Sequence, residues 1–316
     1  MLYKVRSKFR RFFGNYRQFH TVGKQIAAVQ REVNVVKELV AKQQVAHIRS
    51  LGIVDDLKEV EFKVYSQAGE DGIIQYLVNN IQGMPPTFVE FGVENYREAN
   101  TRFLLTNNNW SGLVIDGSDK NVEQIKSDEF YIRFDLYAAA KFITAENINS
   151  IISEHGFNGE IGLLSVDVDG NDYWIWNAID VVNPVIVVCE YNSVFGNQRA
   201  ISIPYEPDFY LKDAHYSHLH FGASLPAMIH LATQKGYSYV GSNTNGSNAF
   251  FVRNDKVGQL KVHTSASSFV DSKFRSSRDA EGRLTFVSGF KRKELIKDMP
   301  VVNVVTGAME TVGDHV

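Results

Sequence analysis

Acidic side chains recur in this chain where apolar runs stop. Glu90 follows Thr87-Phe88-Val89, Asp116 closes Leu113-Val114-Ile115, Asp167 and Asp169 end the run that starts at Ile161, and Glu190 and Asn192 end the run from Val185 to Cys189. The stretch from Thr87 to Ser118 reads as strand, helix, strand, so a βαβ unit delivers Glu90 and Asp116 to one edge of a parallel sheet. An acid after the first strand can accept from a ligand ammonium, and an acid closing the second can accept from both hydroxyls of a ribose. Gly92 lets the backbone come close to such a ligand.

The elements that position these residues alternate along the chain. Ser66 is a plausible cap for the helix of SQAGEDGIIQYLVNNI, whose free N–H groups could face an anionic group. After Asp116 the pattern predicts helix Asn121 to Ser127, strand Tyr131 to Phe134 ending at Asp135, a helix near Ala145 to Glu154 and strand Ile161 to Val168. Helix Asp172 to Ile179 and strand Val185 to Cys189 follow, which implies a parallel sheet covered on both faces. Residues 193 to 221 are a long loop rich in aromatics, expected as a lid or substrate wall. Its HYSHLH holds His215, His218 and His220 at spacings that do not match a helical zinc site. A helix from Ala223 to Lys235, closed by Gly236, leads to an antiparallel pair, Tyr237 to Gly241 and Ala249 to Arg253, joined through Asn-Gly. Residues 256–316 are a tail in which RSSRDAEGRLTF reads as a basic turn followed by a strand.

The stretch from Glu90 to Asp116 resembles motif I and the following acidic position of class I S-adenosylmethionine (SAM) methyltransferases, with Glu94 and Tyr96 standing where the second and third glycines are usual. VDVDG is similar to the VDVEG of FkbM-type methyltransferases, which act on hydroxyls of sugars and polyketides, and FVEFGVENYREANTR and YSQAGEDGIIQYL look like the same group. The resemblance covers roughly Tyr65 to Asp255. It implies an α/β, Rossmann-like fold with a mostly parallel seven-stranded sheet, helices on both faces and an N-terminal helical extension. It also implies SAM as cofactor, held by Gln67, Glu90, Gly92, Asp116, Asp135 and Asp167, with Asp135 meeting the adenine amino group.

In that topology the fourth and fifth strands are neighbours, so Asp167, Asp169, Glu190 and Asn192 converge near the transferred methyl. Asp169, Glu190 and His220 are the catalytic candidates. One carboxylate can be the general base for a hydroxyl. Alternatively Asp169, Glu190 and Asn192 hold Mg²⁺ or Mn²⁺, which lowers the hydroxyl's pKa. In the third reading Asp167 and Asp169 only cap the next helix and Asn192 orders a turn. The metal-free reading is preferred, because the nearest family carries none. The implied function is O-methylation of a hydroxyl, with a sugar in a surface glycan or its precursor as acceptor. Two other classes stay open: a degenerate methyltransferase-fold scaffold working through a coiled coil, and a Rossmann enzyme using another nucleotide, since Asp116 suits the ribose of NAD equally well.

Composition bounds these readings. Hydrophobic residues at 44% and charged residues at 22% of 316 suit one large α/β domain with appendages. A formal net charge of −3 argues against a chain-wide grip on nucleic acid. Residues 1–20 carry Lys4, Arg6, Lys8, Arg10, Arg11 and Arg17 and no acid, with Leu2, Val5, Phe9, Phe12 and Phe13 on one helical face, as in a helix lying on anionic lipid or on a protein partner. Val22, Ile26, Val29, Val33, Val36 and Val40 make a heptad seam, which needs a partner. That partner is a second copy, giving a dimer or trimer, or the chain's own domain. The lone Cys189 in an apolar run points to a reducing compartment. With no long apolar run, the expected location is cytoplasmic, peripheral to the inner face of a membrane. The chain thus divides into a basic segment (1–20), a helical extension (21–58), a methyltransferase-like domain (62–255) and a tail (256–316).

Overall fold

The computed structural model describes residues 2–314, with the side chains of residues 2–20, 27 and 266 outside the description. The chain forms two units, Met1–His47 and Ile48–Val316. The first is helical, and belongs to an uninterrupted helix α1 (Leu2–Leu51). Both expected N-terminal segments therefore lie on one helix. The basic face expected over residues 1–20 falls outside the described side chains.

The second unit begins with α2 (Glu70–Asn80), β1 (Thr87–Phe91), α3 (Arg102–Asn108), β2 (Ser111–Asp116), α4 (Asp119–Ser127), α5 (Glu129–Arg133) and β3 (Leu136–Ala140). It continues with α6 (Ile148–Glu154), β4 (Gly159–Val166), α7 (Asp172–Ala178), β5 (Val182–Glu190), β6 (Ile201–Ser202), α8 (Leu211–Ala214) and α9 (Leu225–Gln234). The hairpin β7 (Tyr237–Ser242) and β8 (Asn248–Arg253), short helices α10 (Ser265–Ser268) and α11 (Phe290–Leu295), and strands β9 (Pro300–Asn303) and β10 (Met309–Thr311) complete it.

Seven strands pair in the order β3-β2-β1-β4-β5-β8-β7. Strands β1 to β5 are parallel, and β8 is antiparallel to both β5 and β7. This is the Rossmann-like, mostly parallel sheet with an antiparallel close that the alternation implied. The order reverses between β1 and β4, so the crevice for a ligand lies beyond the carboxyl ends of these strands and their neighbours. Side chains alternate across the sheet: Val89, Phe91, Leu113 and Ile115 enter one core, and Phe88 and Val114 the other.

Three local expectations are corrected. Residues 129–133 are helical, because Asp128 accepts from the Phe130 N–H and the Phe130 and Phe134 rings pack in a tilted pair one turn apart, with centroids 5.0 Å from each other. The third strand therefore starts after Asp135. The tail is not separate: β9 pairs with β10 and with β6 in a three-stranded sheet over its own apolar cluster of Phe195, Ile203, Leu219 and Val301. RSSRDAEGRLTF forms a turn closed by one bridge, Arg278 to Leu284, and no strand.

Candidate functional site

The carboxyl ends of β1 to β4 open into a cavity of 520 Å³. Glu94 lines it after β1, Asp116 to Ser118 after β2, Lys141 to Ile143 after β3, and Asp167 to Asp169 after β4. Phe209 to Lys212, from the aromatic loop, form the remaining wall. That wall is docked on Gly170, where a Cβ would stand 2.2 Å from the Phe209 ring. Only glycine lets the loop seat there, beside Asp169.

Asp116 is fixed on one side. Its Oδ1 accepts from the Ser118 N–H at 2.9 Å and from the Asn121 amide at 3.0 Å. Both donors come from the start of α4, where the chain turns away from the strand. Oδ2 has no protein partner among the described residues and belongs to a residue on the cavity wall. One fixed oxygen and one available oxygen suit a diol or a ribose.

Gly92 has φ 68°, and a Cβ there would lie 1.8 Å from the Asp167 carbonyl. The close approach it permits is that of the β4 loop. Gly92 also borders the cavity, so the same glycine serves this packing and lies where a ligand would pass.

Beyond β4 and β5 three carboxylates meet. Asp167, Asp169 and Glu190 each offer an oxygen within 4.8 Å of the others. Burial and the neighbouring acids raise the affinity of Asp167 and Glu190 for a proton, and burial does the same for Asp169 against the pull of Lys212. Glu190 Oε2 is buried with no hydrogen-bond partner among the described residues. Asp169 holds left-handed backbone at φ 55°, a strained conformation for a non-glycine residue. Capping of the loop falls to another acid: Asp172 accepts from the Val168 N–H at 2.8 Å and the Gly170 N–H at 3.0 Å. Asp167 also takes a backbone hydrogen bond, from Asp169, so it shares in ordering this loop. The all-oxygen donor set would fit a hard cation, but through Asp167 in place of Asn192.

Several expected site residues are placed elsewhere. Asp135 precedes β3 and so lies at the opposite edge of the sheet from the cavity. Lys141 and Phe142 occupy the position assigned to it. Asn192 spends its amide on its own turn, accepting from the Val194 N–H and donating to the Leu219 and Phe221 carbonyls. His220 is buried, shares a 2.9 Å hydrogen bond through Nε2 with the Pro300 carbonyl and packs on Phe195, so it ties the loop to the second sheet. Gln67 is exposed and outside the cavity lining.

The N-terminus of α2 is likewise filled from within. Asp71 Oδ2 accepts from the N–H groups of Val64, Tyr65 and Ser66, and Glu70 accepts from Ala68, Gly69 and the amides of Asn243 and Asn248. Two acids at that end leave no place for a cofactor carboxylate. The N-cap position is Gly69, and Ser66 caps from three residues earlier: its hydroxyl accepts from the Asp71 N–H at 3.1 Å and donates to the Asp71 carboxylate at 2.8 Å.

Glu90 is enclosed as well. It accepts from the Asn100 N–H at 2.7 Å, the Thr101 N–H at 3.0 Å and the Thr101 hydroxyl, pinning the loop between β1 and α3. Burial pushes its carboxyl up to about 7, and these donors offset only part of the shift. It is absent from the cavity lining. The aromatic loop supplies Phe209 to Lys212 as a wall, as expected, whereas Glu94, Lys141 and Phe142 are among the cavity residues that sequence reasoning did not assign. Glu94 showed only as a break in the glycine pattern, and Lys141 and Phe142 were hidden by the misplaced third strand.

No family model matches the chain, and no curated protein matches it. Among solved structures it is similar to the CMeT domain of the citrinin polyketide synthase (12% identity, TM-score 0.38, covering 60% of this chain and 55% of that one). It is also similar to an S-adenosylmethionine-dependent methyltransferase from Clostridium acetobutylicum (10%, 0.36, 58% and 90%) and to PKMT2 from Rickettsia typhi (11%, 0.38, 58% and 52%). The chain spans about half the length of the first and third of these. At such identities and scores the fold rests on the strand order itself. Among the described residues no helix is long and apolar enough to cross a membrane.

Proposed function

We propose that the unit Ile48–Val316 is a SAM-dependent methyltransferase acting on a hydroxyl. The observation that carries this reading is Asp116, with Oδ1 fixed by Ser118 and Asn121 and Oδ2 available on the cavity wall at the end of β2. The sheet order puts that residue beside the point where the strand sequence reverses, the usual place for a nucleotide. Phe142 stands against Gly117, 3.6 Å from where its Cβ would be, and offers an apolar face next to the ribose position for the adenine. Bound SAM supplies an electrophilic methyl.

The chain's own contribution is to orient both partners and to take the hydroxyl's proton. Three carboxylates with oxygens within 4.8 Å of one another, Glu190 with a buried unpartnered oxygen among them, cannot all stay charged at low cost, so the cluster retains a proton and is more basic than an ordinary carboxylate. Asp169 faces the cavity and is the group that accepts the proton; burial raises its basicity against the pull of Lys212, and its charge in turn raises Asp167 and Glu190. Phe209 and the rest of the loop wall border that position, while Asp169 itself stays open to solvent. A sugar hydroxyl as acceptor rests on the FkbM-like phrases of the sequence. Release of S-adenosylhomocysteine from SAM, measured with a panel of free and lipid-linked sugars, tests it: turnover with a sugar supports the class, and turnover confined to non-sugar hydroxyls removes it.

The helical unit supports a second element of the reading, self-association. Val22, Ile26, Val29, Val33, Val36 and Val40 are 43–61% exposed in the single chain, which leaves a continuous apolar stripe open. In its register Glu32 falls at g and Lys37 at the following e, the positions that pair between parallel helices. β-Branched residues at both a and d favour three or more strands over two. The stripe then brings copies of the catalytic unit together.

A further inference from the structure

The sequence pattern assigns the carboxylate at the end of β1, Glu90, to a ligand ammonium. The structure withdraws that carboxylate: three donors from Asn100 and Thr101 surround it, and it does not reach the cavity. Four residues on, Glu94 is exposed, lines the cavity and makes no hydrogen bond or ion pair among the described residues. Its backbone is left-handed at φ 46°, which a non-glycine residue adopts at a cost. A strained backbone that carries a free charge into a cavity is the pattern of a ligand-binding position.

The sheet order fixes which part of a ligand Glu94 would meet. With the ribose at Asp116 on β2, the chain end attached to the ribose 5′ position must run away from β3, toward β1 and β4. Glu94 follows β1, one strand spacing of about 4.8 Å along. Beyond it stand Asp167 and Asp169, committed to the proton-sharing cluster. Resting on the reading of the cavity as a SAM site, we propose that Glu94, not Glu90, receives the ammonium of the cofactor's amino-acid end, and thereby sets the preference of this chain for the intact cofactor over truncated adenosyl thioethers.

Calorimetry with S-adenosylhomocysteine and with 5′-methylthioadenosine, which shares the nucleoside but lacks the amino acid, separates this role from others. Glu94→Gln should weaken S-adenosylhomocysteine about 10- to 100-fold, the loss of a charge-assisted hydrogen bond, and leave 5′-methylthioadenosine unchanged. Glu94→Gly removes the strain along with the carboxylate. It should weaken S-adenosylhomocysteine equally while raising the melting temperature, whereas a purely conformational role would raise both stability and affinity. Unchanged S-adenosylhomocysteine affinity in Glu94→Gln, or equal losses for both ligands, overturns the assignment of Glu94. Wild-type protein that binds neither ligand overturns the cofactor reading itself, and the assignment with it.

Discussion

Glu94 and Tyr96, two residues apart in the loop after β1, both hold left-handed backbone, at φ 46° and 60°, and Gly92 before them holds φ 68°. Left-handed backbone thus recurs at alternate positions of this loop although only the first of the three is glycine. Each non-glycine residue in that region costs roughly 1–2 kcal/mol. Tyr96 offsets this by packing: it is buried, its hydroxyl shares a 2.9 Å hydrogen bond with Thr101, and its carbonyl accepts from Arg102. Glu94 has no such compensation. Glu94→Gly should stabilise the fold by about 0.5–1 kcal/mol after the entropy of glycine is subtracted, and Tyr96→Gly should destabilise it by about 3–5 kcal/mol. Denaturant titration checks both, and equal effects would mean that the loop tolerates any residue at either place.

On the proposed reading the carboxylate cluster should set the pH dependence of turnover. Asp167, Asp169 and Glu190 all bind a proton more tightly than ordinary carboxylates, so the base form is gained as pH rises through that raised range. The acid limb of kcat should lie above the ordinary carboxylate range, and Asp169→Asn should lower kcat by roughly 10² to 10⁴ while cofactor affinity survives. If chelator abolishes activity and added Mg²⁺ or Mn²⁺ restores it, the three acids hold a cation instead.

Glu90 carries a stability consequence. Burial raises its carboxyl from the ordinary 4.5 to about 7, so the stability linked to its proton is fully present below 4.5 and is lost as pH rises through 7. Against Glu90→Gln, which stays neutral, the wild type should lose up to about 3 kcal/mol between pH 4.5 and pH 8. Melting curves at the two ends measure it. Parallel behaviour of the two proteins would show that the donors of Asn100 and Thr101 hold the carboxylate charged throughout.

The exposed seam of α1 predicts a mass above that of the single chain. Val33→Glu, which puts a charge at the middle of the stripe, should lower that mass in light scattering without altering cofactor affinity. An unchanged mass would assign the stripe to some other contact.

What the sequence disclosed and what it hid follow from the range of the interactions concerned. Asp116 was legible because an uninterrupted apolar run ends on it, and the strands with Val, Ile and Leu were placed within a few residues. The third strand was misread because FYIRF has the aromatic and β-branched character of a strand while the true strand, LYAAA, does not. The cap at Asp128 and the packing of Phe130 on Phe134 decided it. Glu90 was placed at the right strand end, but its partners lie ten residues on and could not be foreseen. Asn192 and His220 share that history, their partners being 27 to 80 residues away. The tail eluded reading because β9 pairs with a two-residue strand a hundred positions earlier.

The most direct test of the account is calorimetric titration of the wild type and of Asp116→Ala with SAM and, separately, with NAD. The account predicts binding of SAM by the wild type, no binding of NAD, and a loss of about 1.5–3 kcal/mol in SAM affinity for folded Asp116→Ala. Binding of NAD in place of SAM, or an Asp116→Ala protein that holds SAM as tightly as the wild type, would contradict it.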